Sequence, residues 1–233
     1  KCNHKHIQER MLWLIKQIDE DLASKVADGL GMDIPKNIER PINQSIGADA
    51  KAEKFQPKAK KNYLEKDKAL SQATTKFDSI ATRQIAILAA NGFSMQSFKP
   101  FKQALEKAGA MVKIVAPHGG TITCDEGMEH TVDAAVATTE SVLFDALFIP
   151  GGEKSIKILS TNGKYGKFVN EAYKHCKAIA VTGAGEDLLK NSYIKDYEDD
   201  KAIFINGKPA DFIQAIAKHR NWDRMKAVAG IPV

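Results

Sequence analysis

AIAVTGAGEDLL, residues 178–189, decides the fold. Its first four residues are small or β-branched and uniformly apolar, as in a strand of a parallel sheet covered on both faces. Glycines at 183 and 185 then make a turn, and Glu186 to Leu189 begin a helix. Strand, glycine turn and helix in this order form the layout that elsewhere presents a nucleophile on a sharp elbow. The apex here is Thr182 and Gly183, at the carboxyl edge of the sheet, where open α/β folds gather their ligands. A threonine hydroxyl is weak and hindered, and to attack it needs a base within hydrogen-bond reach. The nearest ionisable residue in sequence, Glu186, starts the next helix and is expected to point away.

Outward from this stretch, residues 82–233 alternate short apolar runs with helical patterns, the signature of strands joined by crossover helices. The expected strands are Gln84–Ala90, Met111–Ala116, Ala146–Ile149, the elbow strand, and Ala202–Ile205 closed by Asn206-Gly207. Helices are expected over Gln96–Ala108, Tyr165–His175 and Ala210–Lys218. Between them lie a hairpin-like excursion over Thr121–Val132, turning at Asp125–Gly127, and an irregular or helical stretch near Asp133. Alternation of this kind makes the sheet mainly parallel.

The first 81 residues differ. Ile7, Met11, Leu14, Ile15, Ile18, Leu22, Val26 and Leu30 recur at three- and four-residue steps, so residues 1–34 read as one amphipathic helix that stops at Gly29–Gly31 and Pro35. Its stripe needs a cover, expected from another domain or chain. Residues 35–81 hold Pro35, Pro41 and Pro57 among polar residues, with lysines dense from Lys51 to Lys68, and read as a long extended linker.

Composition limits the function classes. With 233 residues and 43% hydrophobic content, the chain can bury a full core. A net charge of +5 without an arginine or aromatic stripe does not indicate nucleic acid as a partner. No apolar run approaches the roughly 20 residues that cross a bilayer, so no membrane partner is expected. Cys2, Cys124 and Cys176 are scattered, which favours a reducing, cytoplasmic compartment over a disulfide framework. A start at Lys1, within helix-like sequence, reads as a piece of a longer polypeptide.

Candidate sites gather at the strand ends. Gly151 and Gly152 follow the third strand, where paired amides line an oxyanion or phosphate cradle or simply make a turn. The loop Ala90-Asn91-Gly92 is not a dinucleotide fingerprint. Cys176 precedes its strand and is expected at the opposite edge, buried. Cys124 stands beside Asp125 and Glu126, whose charge disfavours a thiolate. His118 ends the second strand and faces either the crevice or solvent. Cys2, His4 and His6 lack a fourth ligand, so no metal is expected.

The segments AILAANGFSMQSFKPFKQALEKAGAMVKIVAPHGG, SVLFDALFIPGG and NEAYKHCKAIAVTGAGEDLL resemble the flavodoxin-like domain of the class I glutamine amidotransferase-like superfamily, in its intracellular protease and deglycase branch. DAAVATTESVLFDALFIPGG and FVNEAYKHCKAIAVTG are similar, more narrowly, to the domain at the carboxyl end of large-subunit catalases. IDEDLASKVADGLGMDIPKNIERPINQSIGADA resembles the helix and connector that lead into it. The resemblance implies a three-layer α/β sandwich. It puts the superfamily's elbow cysteine at Thr182 and its assisting acid at Gln96, both vacated here, leaving Gly151, Gly152, Thr182 and Gly183 as a residual pocket. A glutamine cannot accept a proton as a carboxylate does.

The resemblance further implies a haem-dependent, homotetrameric parent that disproportionates hydrogen peroxide. The haem lies in an upstream domain, with sister subunits as partners and unfolded clients held in a chaperone-like role. The fragment alone is then no enzyme and carries no cofactor. The rival reading is a deglycase- or amidase-type hydrolase using Cys124. A flavin or nucleotide carrier rests on fold analogy alone.

Overall fold

A computed structural model describes residues 3–38, 41–56 and 78–232. The chain divides into two compact units, Lys1–Thr74 and Thr75–Val233.

In the first unit, the single helix expected over Ile7–Leu30 is corrected to two, α1 (Lys5–Lys16) and α2 (Glu20–Leu30), which pack on one another. The break has a local cause. Asp19 takes extended backbone angles and its carboxylate accepts the Leu22 N–H at 2.9 Å, capping a new helix and ending the old one. Gly31, at φ 63°, closes α2 in the left-handed conformation. The buried positions are Leu12, Ala23 and Ala27, none of them in the expected stripe, of which Leu14, Ile15 and Val26 are half-buried and Ile7, Met11, Ile18, Leu22 and Leu30 exposed. The segment that follows is not extended throughout. Arg10 donates to the Ile42 carbonyl, and Asn43 and Gln56 exchange hydrogen bonds across a short 3-10 turn at Ala52–Phe55. Pro57 and the lysines from Lys58 to Lys68 lie outside the described residues.

The second unit is an α/β sandwich. Its strands are β1 (Gln84–Leu88), β2 (Met111–Ala116), β3 (Thr121–Thr123), β4 (Glu129–Thr131), β5 (Ala134–Ala135), β6 (Ala146–Ile149), β7 (Ala178–Val181) and β8 (Ile203–Ile205). Six of them form one sheet in the order β5, β2, β1, β6, β7, β8, and every pairing in it is parallel. β3 and β4 form the expected hairpin. The stretch near Asp133 is no helix: Asp133 accepts the Ile114 N–H at 2.8 Å and draws β5 onto the edge of β2.

One face of the sheet is covered by α3 (Met95–Lys107) and α7 (Pro209–Ala217), packed through Phe98, Phe101, Phe148 and Phe212. α4 (Glu153–Leu159), α5 (Gly163–Lys174) and α6 (Glu186–Lys190) cover the other through Ile156, Phe168, Val169 and Leu188. α4 has no counterpart among the expected helices. The fully buried hydroxyl of Ser155 accepts the Ala90 N–H at 2.9 Å, tying α4 to the end of β1. The chain runs from β1 outward to β2 and returns to β6 on the other side, so the strand order reverses between β1 and β6. Crevices of open α/β sheets form at the carboxyl ends of such a pair.

Candidate functional site

The expected residues meet at that reversal. Ser94, Gln96 and Ser97 from the start of α3, Gly151 and Gly152 after β6, Thr182 and Gly183 after β7, and Asn206 after β8 line a cleft of about 320 Å³. Thr182 and Gln96 thus share one cleft with Gly151, Gly152 and Gly183.

The loops approach so closely that two glycines are required. A Cβ on Gly152, which sits at φ +107°, would lie 2.2 Å from the Gly92 carbonyl oxygen, and one on Gly151 would lie 2.9 Å from the Thr182 oxygen. Packing therefore accounts for both residues.

The polar groups of the cleft bind one another. Thr182 Oγ1 accepts the buried Gly151 N–H at 3.1 Å. Gly183 N–H donates to Asn206 Oδ1 at 2.7 Å, and the Gly151 carbonyl accepts Ser94 N–H at 2.8 Å. Of the expected cradle pair Gly151 and Gly152, the Gly151 amide is thus turned to a side chain of the protein itself, as is the neighbouring amide of Gly183. The Thr182 backbone is ordinary extended chain at φ −131°, and the left-handed residue of the bend is Gly183 at φ +50°. No residue lining the cleft is ionisable, so the Thr182 hydroxyl has no proton acceptor among them. Glu186 faces elsewhere, accepting the Tyr197 hydroxyl at 3.3 Å and pairing with Lys190 at 3.2 Å.

The other candidates are dispersed. Cys124 is buried on the hairpin, where its N–H donates to the Met128 carbonyl. It lines a neighbouring cavity of about 820 Å³ with Asn91, Asp125 and Lys154, which meets the cleft at Gly152. Asp125 caps α3 by accepting the Met95 N–H at 2.9 Å. Cys176 is buried at the amino edge, and burial pushes its thiol pKa up, away from the reactive thiolate. His118 is exposed and outside the cleft lining. The rings of His4 and His6 stand 5.9 Å apart, Cys2 lies outside the described residues, and no cluster of three or more metal-ligating side chains occurs among the described residues.

Two functional features escaped the sequence. Asn206 was legible as a turn residue, φ +51°, but its bond to Gly183 joins residues 23 apart. The second feature is a set of buried charges at the amino edge. Arg224 is 3% exposed and grips Asp200 through Nε at 2.6 Å and Nη2 at 2.9 Å. Its Nη1 donates to the Lys177 and Tyr173 carbonyls, and its plane lies 4.4 Å from the Tyr173 ring centre. Burial alone would raise the Asp200 pKa, but the bonds and charge of Arg224 outweigh it and hold the carboxyl below its usual value. Lys177 is 2% exposed and donates to the Ser141 carbonyl at 2.5 Å. Burial, helped by the charge of Arg220, lowers its pKa to about 8.

Comparison with known proteins agrees with this architecture. Residues 81–226 match the family described as the C-terminal domain found in long catalases. The chain is 33% identical over 241 residues to a catalase HPII of Mycobacterium avium, covering 96% of this chain and 31% of that protein. It is 32% identical to catalase-2 of Bacillus subtilis, covering 96% of this chain and 30% of that protein. The chain therefore spans under a third of the length of these relatives. Among solved structures, a two-domain protein from Anabaena variabilis containing DJ-1/ThiJ/PfpI-like and ferritin-like domains superposes with a TM-score of 0.50 at 20% identity, covering 65% of this chain and 56% of that one. That likeness supports the flavodoxin-like sandwich.

Proposed function

Because the chain belongs to the family of C-terminal domains of long catalases, we propose that it is a structural and assembly domain of such a catalase and not a seat of chemistry. The parent disproportionates hydrogen peroxide at a haem held upstream of this domain, in a homotetramer. The observation that carries the non-catalytic role is the self-bonded cleft: Gly151 N–H on Thr182, Gly183 N–H on Asn206, and no titratable residue in its lining.

Among the described residues of the second unit, none is placed to hold a haem. An axial tyrosine or histidine must present its ligand atom to a large apolar pocket. Here Tyr173 lies against the Arg224 guanidinium, the Tyr197 hydroxyl donates to Glu186, and no histidine or tyrosine lines the 820 Å³ cavity.

The decisive experiment removes residues 78–233 from the full-length parent. The expected result is retained Soret absorbance and peroxide turnover per haem, with weakened tetramers and faster thermal inactivation. Methylglyoxal or amide turnover by this chain, abolished by Cys124→Ser, would instead establish the hydrolase reading.

A client-holding role is a further part of the proposal, supported by the exposed Met11, Ile18 and Leu22. The intact chain is expected to suppress heat aggregation of a client enzyme. Ile18→Lys with Leu22→Lys should abolish that effect, and undiminished suppression would remove the stripe from the account.

A further inference from the structure

The second unit holds out two apolar pairs at the amino edge of its sheet. Val142 and Leu143, on the turn before β6, are 66% and 60% exposed, and Trp222 and Met225, on the 3-10 segment after α7, are 65% and 54% exposed. Both pairs border the carboxyl end of α5. The 141–143 turn packs on α5, and Arg224, between Trp222 and Met225, donates to the Tyr173 carbonyl in the last turn of α5. Lys177 links the two beneath the surface, its Nζ on the Ser141 carbonyl and its own carbonyl taking Arg224 Nη1. The four side chains therefore stand on backbone fixed by buried polar bonds. Large apolar side chains gathered on a rigid, polar-rimmed base mark a contact surface.

The same edge receives the polypeptide. At the start of β1, Arg83 Nη1 lies 3.2 Å from Asp145 Oδ1, and Gln84 N–H donates to Asp145 Oδ2 at 2.9 Å, two residues beyond Leu143. In the Mycobacterium avium relative the region matched by this chain is 31% of the protein, and the family is the C-terminal domain of long catalases, so the larger part of a long catalase reaches the second unit through the residues that enter at this edge. A tethered partner acts at a raised effective concentration, ahead of any free copy of the chain.

We infer that Val142, Leu143, Trp222 and Met225 form the surface by which this domain docks on the preceding body of the long catalase, with the cleft at the carboxyl edge facing away. This inference rests on the family reading above. Its test is amide hydrogen exchange in the full-length enzyme against this chain alone. Amides of 141–144 and 222–227 should exchange at least ten-fold more slowly in the full-length enzyme, while those of 94–97 and 206–208 keep one rate. Equal rates at the amino edge, or slowing at the carboxyl edge instead, would overturn the inference. So would slowing that appears in this chain alone as its concentration rises, which would assign the surface to a second copy.

A triple change of Val142, Leu143 and Trp222 to Glu in the full-length enzyme gives an independent reading. Limited proteolysis should release the domain at least ten-fold faster, with Soret absorbance per haem and the melting of the isolated chain unchanged; unaltered release overturns the surface. A full-length protein without haem or peroxide turnover would defeat the catalase reading itself, whatever the exchange pattern.

Discussion

The two edges of the sheet are joined by opposite kinds of chemistry. At the carboxyl edge, neutral groups close the loops on one another through Thr182, Asn206 and the glycine amides. At the amino edge, the covered side chains of Arg224 and Asp200 lock the carboxyl-terminal segment to the chain before β7 and β8, and buried Lys177 holds the turn at Ser141. In an α/β enzyme the perturbed groups are expected where ligands bind. Here they sit at the other end and serve the fold. A perturbed pKa by itself therefore locates strain or support as readily as catalysis.

The largest expected effect comes from breaking the amino-edge lock. Arg224→Ala leaves the Asp200 carboxylate buried without its partner, a change that costs about 3–5 kcal/mol. Replacing both, Arg224→Met with Asp200→Leu, should cost much less than the single change, because no charge is stranded. Urea denaturation measures both, and a double variant weaker than Arg224→Ala would mean that the pair contributes net attraction. The lock also fails in acid. The folded pKa of Asp200 is depressed, so its contribution is complete above the ordinary carboxylate pKa of about 4 and is lost as pH falls below it.

At the carboxyl edge the corresponding break is steric. Gly152→Ala puts a Cβ against the Gly92 oxygen at a backbone angle of +107° and should destabilise by about 2–3 kcal/mol. Gly127→Ala, at φ +84° with open space around it, carries only the backbone term, about 1 kcal/mol. Equal losses in the two variants would show that the loops around Gly152 can move apart.

Lys177→Met sharpens the contrast through pH. The lysine pKa falls from 10.5 unfolded to about 8 folded, so between those values the unfolded chain binds more protons. Stability must then rise with pH across that window, by at most about 1.4 kcal/mol per pH unit, and the burial penalty is complete below pH 8. The variant should lose this rise while melting no lower than the parent chain at pH 7. A persisting rise would place the proton elsewhere and remove Lys177 as its source; Cys176, whose pKa is raised by burial, acts with the opposite sign, and His175 and His219, whose pKa values burial lowers, titrate below this window.

What was legible follows from the range of the forces involved. Ala146–Ile149 is an uninterrupted apolar run and Met111–Ala116 is one broken only by Lys113, both bounded by turn residues, and their limits in the structure are those read from sequence. The elbow layout was legible as well, since strand, glycines and helix lie in one stretch. The break at Asp19 was not, because Ile18 continues the apolar period across a residue whose capping bond depends on backbone geometry. α4 spans seven residues, too few for a period to declare itself, and is fixed by Ser155 reaching Ala90 across 65 positions. The Arg224–Asp200 pair belongs to the same class: two charges 24 residues apart look like surface until the chain folds.

The smallest effect separates the two roles of Asn206. Its side chain satisfies Gly183 N–H, and its backbone sits at φ +51°, where asparagine is tolerated better than most residues. Asn206→Ala loses both and should cost about 1–2 kcal/mol, because the left-handed strain of a Cβ is added to the missing acceptor. Asn206→Gly loses the acceptor alone, and Gly183 is exposed, so water can replace it; the cost should stay below about 0.5 kcal/mol. If the two variants melt together, the hydrogen bond and not the backbone holds the bend. The neutral cleft would then depend on one amide side chain at its rim, as the amino edge depends on Arg224.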